Sequence, residues 1–198
     1  MSMASVASKA LTIVALAVCT SALADSSTPA AGARFAATGS IETAFTPGER
    51  IDNLIIAAIA AAKREVLVNA YSFTQRSIAR ALIAARKRGV PVQVIADSQQ
   101  AATLPQNVLG ELAKGGVTVW LDANYQAAHN KVVIVDADAA SATTITGSYN
   151  FTFSAQWHNA ENVVILRDNR DVARAYRDNW LRLKAKATPL PAAKADSR

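Results

Sequence analysis

The chain is predicted to fold as an α/β domain, a mixed sheet of about seven or eight strands flanked by helices on both faces. Three observations predict it. Short runs rich in Val and Ile alternate with helical runs along most of the chain, the pattern of strands and their covering helices. The strand candidates are apolar on both alternating sets of residues, as strands buried on two faces are. Hydrophobic residues make up 51% of the 198 residues and charged ones 18%, which suits one domain with a sizeable core and excludes disorder over most of its length.

Each element has its own signal. "SIETAF" (40–45) is a short strand closed by Thr46, Pro47 and Gly48, and "RIDNLIIAAIAAAKR" (50–64) is a very apolar helix. The uninterrupted apolar stretch of that helix, residues 54–62, is about half of what a membrane span needs, so it reads as a core helix. "EVLVNAYSF" is a strand, "SIARALIAARKRG" a helix closed by Gly89, and "VPVQVIAD" a strand. A short helix "NVLGELAKGG" precedes the strands "VTVWLD", "KVVIVD", "TTITG" and "ENVVILR". The amphipathic run "RDVARAYRDNWLRLKAK" is the last helix. No internal repeat or linker interrupts this order.

The ends read differently. Residues 1–24 have one cation at Lys9, an apolar run and then Ala22-Leu23-Ala24, the layout of a secretory signal peptide that is removed. Residues 25–37 read as a flexible leader, 38–184 as the folded domain and 185–198 as a flexible C-terminal tail. The expected destination is the periplasm or the outside of the cell, with no stable membrane insertion after cleavage. The single cysteine, Cys19, lies in the segment expected to be removed, so neither a disulfide, a thiolate nucleophile nor a cysteine zinc site is expected in the mature chain. Net charge is +6, and losing Lys9 leaves +5, so the basic balance belongs to the domain and favours polyanionic partners.

Only two histidines occur, His129 and His158. In "HNKVVIVD" strand alternation puts His129 and Lys131 on one side and Asp136 on the other, which gives Asp136 a supporting role. After the next strand, Gly147-Ser148-Tyr149-Asn150 turns Ser148 and Asn150 back towards the histidine, and Glu161 opens another strand. Imidazole, ammonium, hydroxyl and carboxamide together suit a phosphate group. Lys131 supplies charge, Ser148 and Asn150 donate hydrogen bonds, and a neutral His129 is a competent nucleophile if a carboxylate, here Glu161, holds its other nitrogen. No metal-ligand spacing is present, and neither a metal nor another cofactor is expected.

These residues resemble a known family. His129-x-Lys131, four residues, Asp136, then Gly147-Ser148-x-Asn150 is similar to the HKD signature of the phospholipase D superfamily. Phe45-Thr46-Pro47, Ala70-Tyr71-Ser72-Phe73-Thr74 and Glu161-Asn162 resemble its small bacterial single-motif endonuclease branch. One departure is the ten residues between Asp136 and Gly147, longer than the family's usual spacing, which reads as an enlarged hairpin loop able to affect substrate access. The resemblance implies a metal-independent, two-step phosphodiester hydrolysis. One histidine attacks phosphorus, and a second protonates the leaving oxygen and then activates water. With one motif per chain it implies a homodimer that shares the site across a two-fold axis.

The expectation is therefore an exported, non-specific endonuclease acting on DNA, with RNA left open, bound mainly through phosphates. A lipid phosphodiesterase of the phospholipase D type is the first alternative, and a non-catalytic nucleic-acid-binding protein the second. His158 reads as a histidine at a loop or helix end beside Trp157, with a substrate contact at the rim as its functional option. The basic run 85–89 and the cations of the last helix read as solvated faces that suit backbone binding.

Overall fold

The computed structural model describes residues 32–190, so the expected signal peptide lies outside the described residues. By its contacts the chain divides into Met1–Arg34 and Phe35–Arg198, and every helix and strand among the described residues lies in the second unit. In the first, residues 32–34 are exposed and irregular.

The sheet has eight strands: β1 (Ser40–Thr46), β2 (Val66–Ala70), β3 (Val92–Asp97), β4 (Thr118–Asp122), β5 (Lys131–Val135), β6 (Thr143–Gly147), β7 (Glu161–Arg167) and β8 (Thr188–Pro189). Their order is β1-β7-β6-β5-β2-β3-β4-β8. Strands β2, β3 and β4 are mutually parallel, while β5, β6, β7 and β1 form an antiparallel half joined through the β2–β5 pair. The helices are α1 (Ile51–Ala61), α2 (Arg76–Lys87), α3 (Ser98–Thr103), α4 (Leu109–Lys114), α5 (Phe153–Trp157) and α6 (Arg170–Lys184).

Strand alternation divides the core in two. Val66, Val68, Val94, Val133, Val135, Ile145 and Ile165 face the side covered by α1, α2 and α4, where Ile55, Ile59, Ile78, Leu82 and Leu112 are buried. Leu67, Ile95, Val132 and Ile134 face the other side, against Ala173 and Trp180 of α6. Each such side chain contributes roughly 1.5–3 kcal/mol on burial. The Trp180 indole also donates to the Val68 carbonyl at 2.9 Å, fixing α6 on the sheet.

Helix ends are closed by distant side chains. Arg88, from the basic run, donates to the Ile59 and Ala60 carbonyls near the end of α1 at 3.2 and 3.1 Å, and Arg86 donates to Gly116 O at 2.9 Å. On α6, Arg174 and Arg177 pair with Asp138. These cations are therefore committed within the fold. The expected free tail is shorter than the sequence suggests: Thr188 pairs with Leu121, and Leu190 N–H donates to Val119 O at 2.9 Å, so the chain adds a short edge strand before residue 191. A proline is tolerated there because an edge strand leaves one side without ladder bonds.

Candidate active site

Strands β1, β6, β2, β3 and β4 all end at one edge of the sheet, where β5 and β7 begin. Open α/β sheets place their sites beyond that edge. The register delivers residues to it in a row: Thr46 stands opposite Glu161, Gly147 opposite Val163, and Ala70 opposite Lys131. Alternation puts Lys131, Gly147 and Glu161 on the same face. A Cβ at Gly147 would meet Asn162 O at 2.2 Å, so this close approach requires glycine, and no side chain stands on β6 between the lysine and the glutamate.

Lys131 is only 7% exposed. Its ammonium donates to His129 O at 3.0 Å and lies 4.8 Å from the centroid of the Tyr71 ring. The exposed imidazole of His129 packs on the same ring, with centroids 4.4 Å apart and planes tilted by 59°. Burial lowers the Lys131 pKa below the usual lysine value, and the carboxylate of Glu161 opposes that shift. A largely desolvated ammonium attracts an anion more strongly than one in water does.

Ser148 Oγ accepts from Asn162 N at 3.0 Å and from Asn162 Nδ2 at 3.3 Å, which leaves its own hydrogen to donate outward. Tyr149 is buried and donates to Gln156 Oε1 at 3.3 Å, its phenol held well above the usual range chiefly by burial. Asn150 Oδ1 is buried with no hydrogen-bond partner among the described residues. An unpaired buried acceptor costs about 1–3 kcal/mol and marks a place kept for something other than packing.

Two expected roles take a different form. The Glu161 carboxylate accepts from Asn159 Nδ2 at 2.9 Å and makes no hydrogen bond to His129 among the described residues. Its influence on the site is its field at Lys131. His129 precedes the first residue of β5, so its ring is free to stack on Tyr71 instead of following the strand alternation. Asp136, the third member of the HKD signature, does not stand with the other two. It lies past the opposite end of β5, about 16 Å from Lys131 at ~3.3 Å per residue. There its two carboxylate oxygens accept from the backbone N–H groups of Lys63, Arg64 and Glu65 at 2.9, 2.7 and 2.9 Å.

The enlarged loop between Asp136 and Gly147 is at that same far end. It docks on α6 through Asp138, while Ala137 and Ala142 are buried in the second core. Its length therefore bears on α6 and not on substrate access.

Among the described residues no group of three or more His, Asp or Glu side chains is placed to hold a metal. His158 ends α5, with its ring edge-on to Phe153 at 5.5 Å. Trp157 is 48% exposed beneath the guanidinium of Arg50, which stands 4.9 Å from the indole centroid.

Residues 55–183 match the family model described as cardiolipin synthase, PLD-like domain. A protein named phospholipase D from Rickettsia felis is 38% identical over 147 residues, which cover 73% of this chain and 70% of that protein. The crystal structure of Nuc from Salmonella typhimurium, described as a phospholipase D family member, superposes with a TM-score of 0.71 at 31% identity, covering 76% of this chain and 97% of that one. The chain belongs to the phospholipase D superfamily. NucT from Helicobacter pylori gives a TM-score of 0.67 at 26% identity, over 76% of this chain and all of that one.

As a member of this superfamily the protein is a phosphodiester-hydrolysing enzyme, and a purely binding role is set aside. The sheet edge of this phospholipase D-like enzyme brings Lys131, Ser148, Asn150 and Glu161 together, with His129 held by Tyr71 at its rim. Residue-by-residue reading did not single out Asp97, which is 3% exposed at the end of β3 and accepts from Ala128 N at 2.8 Å. Thr46, marked by the resemblance but given no role there, has a hydroxyl that joins Glu161 N–H to the Ala155 and Asn159 carbonyls at the start of β7. Each reaches far along the chain, Asp97 to Ala128 31 residues away and Thr46 to Ala155 109 residues away, while Asp97 also caps α3 locally through Gln100 N.

Proposed function

We propose that this chain is an exported endonuclease that hydrolyses nucleic-acid phosphodiester bonds without a metal, through a phosphohistidine on His129, in a site completed by a second copy of itself. The observation that carries the reading is the donor set at the sheet edge: an exposed imidazole beside a buried ammonium and an outward hydroxyl, to which the Asn150 carboxamide adds its NH2 group when that group is turned to the phosphate. This set has the groups needed to hold a phosphate and attack it, with Lys131 supplying the charge that a cation would otherwise bring. The net charge of +6, or +5 once Lys9 is removed with the signal segment, favours a polyanionic substrate.

In the first step the His129 imidazole forms a bond to phosphorus as the bond to the leaving oxygen breaks, and that oxygen takes a proton from the second copy's imidazole. In the second step, water gives a proton back to that imidazole and attacks phosphorus, the P–N bond breaks, and a phosphate monoester leaves. Ser148 and Asn150 donate to the phosphoryl oxygens, and Glu161 helps to keep Lys131 charged.

Two features support the shared site. One chain offers a single His-x-Lys arrangement. On the α6 side of the sheet, α6 packs on β6, β5, β2 and β4, while the outward side chains of β1, Ile41 and Phe45, are 61% and 55% exposed. A second copy is the cover we assign to that strip.

Phospholipid cleavage is the second reading, favoured by the 38%-identical relative named phospholipase D. Plasmid DNA and phosphatidylcholine vesicles, each offered to the purified protein with EDTA, separate the two. Cleavage of DNA alone, retained on chelation and lost in His129→Asn, is the expected result. Loss of all activity with EDTA contradicts the metal-free route, and cleavage of lipid alone reverses the substrate. Export is checked by the N-terminal sequence of the protein recovered from the periplasm or medium, expected near Asp25.

A further inference from the structure

The chain passes from β4 to β5 by a crossing that skips two strands. Strands β3 and β2 lie between them, so residues 123–130 span three strand spacings, ~14 Å, over the carboxyl ends of both. None of the eight belongs to a helix or strand, and residues 123–127 are all exposed. Such a segment has few contacts to hold it, yet it ends by presenting His129.

Each strand it leaves or crosses supplies one anchor. At the end of β4, Asp122 Oδ1 accepts from Asn124 N and Nδ2, both at 2.9 Å. At the end of β3, Asp97 Oδ2 accepts from Ala128 N at 2.8 Å while Oδ1 accepts from Gln100 N at 2.7 Å. Just past β2, Tyr71 N donates to Asn130 O at 3.0 Å, and its ring takes the imidazole. Asp97 is the anchor whose side chain grips the backbone next to His129. It is buried, and both oxygens are engaged by N–H groups on opposite sides, so the carboxylate has little freedom to swing.

We propose that Asp97 is a positioning residue for His129: by holding the Ala128 N–H it sets where the imidazole stands against Tyr71 and Lys131. The inference rests on the reading of His129 as nucleophile.

Asp97→Asn keeps the size of the side chain but retains one acceptor oxygen, so either Gln100 or Ala128 meets an NH2 group instead. Ala128→Pro deletes the loop-side donor, while also fixing φ at that position, and leaves Asp97 and the start of α3 intact. In both variants kcat on plasmid DNA is expected to fall about 10- to 100-fold, as for other groups that orient a reacting side chain. KM should stay within about two-fold, since phosphate binding is not touched. In a His158→Asn background the ring protons of His129 should lose the ring-current shift imposed by Tyr71 in both variants, as read by NMR. A kcat within about two-fold of the parent, or a lowered kcat with unmoved His129 resonances, overturns the proposal. Should His129→Asn retain activity, the nucleophile reading fails, and the His129 resonances alone then decide whether Asp97 sets its place.

Discussion

The imidazole of His129 packs on the ring of Tyr71, centroid to centroid 4.4 Å, and this ring also lies 4.8 Å beneath the ammonium of Lys131. One aromatic ring therefore contacts both of the groups that the proposed mechanism brings to the same phosphate. The ring, not the hydroxyl, makes both contacts. Tyr71→Phe is expected to keep kcat within about three-fold, whereas Tyr71→Ala frees both groups and should lower it about 10- to 100-fold. Steady-state cleavage of a fluorescent oligonucleotide distinguishes the two variants, and equal losses would show that the hydroxyl carries the effect.

The pH profile follows from Lys131. Burial favours its neutral form and Glu161 favours the ammonium, with burial the larger. Phosphate binding through the ammonium should fail on the alkaline side before an ordinary lysine, near ~10.4, would titrate. Glu161→Gln removes the group that raises the pKa, so the alkaline limb of kcat/KM should move to lower pH. A limb that stays in place or moves up contradicts this account of the pair.

Asp136 stands in the signature but serves the fold. Its carboxylate gathers three backbone N–H groups at the turn from α1 into β2, and its own φ of 52° makes the exit from β5. Asp136→Asn retains one acceptor oxygen and turns a donor on the others. It should cost about 2–3 kcal/mol, the scale of hydrogen bonds to a charged group. Urea unfolding should show a lower midpoint at unchanged slope, and the folded fraction should keep its kcat. Lost kcat at full stability would return Asp136 to the active site.

How far the sequence was legible depends on how local each cause is. Val and Ile alternation in "KVVIVD" and "ENVVILR" places β5 and β7 because a strand's two faces follow from its own residues. Helices α3 and α5, about one and a half turns each, have no apolar period to read and are started by caps at Asp97 and Thr152. Lys131, Ser148 and Asn150 fall together because register and one hairpin connect them. The hold on His129 was not legible, since it comes from the ends of β2 and β3. Glu161 accepts from Asn159 and not from His129 among the described residues, and strand alternation does not reach that relationship because His129 sits just outside β5.

The uncovered strip on β1 bears on assembly. Ile41 and Phe45 pair in register with Leu166 and Asn162 of β7 on the side of the sheet where α6 reaches β6 and β5, and both remain more than half exposed. Phe45 lies next to Thr46, which stands opposite Glu161 at the site edge, so a copy covering the strip would approach the site as well. Burying Phe45 there would stabilise the pair by roughly 1.5–3 kcal/mol, and a carboxylate in its place would be left unpaired in the contact. Phe45→Glu is expected to shift sedimentation from dimer to monomer at micromolar protein. Specific activity should fall with dilution more steeply than in the parent, because each monomer would hold one imidazole of the two. A variant that sediments as a monomer with full activity at every concentration would show that one copy carries a complete site.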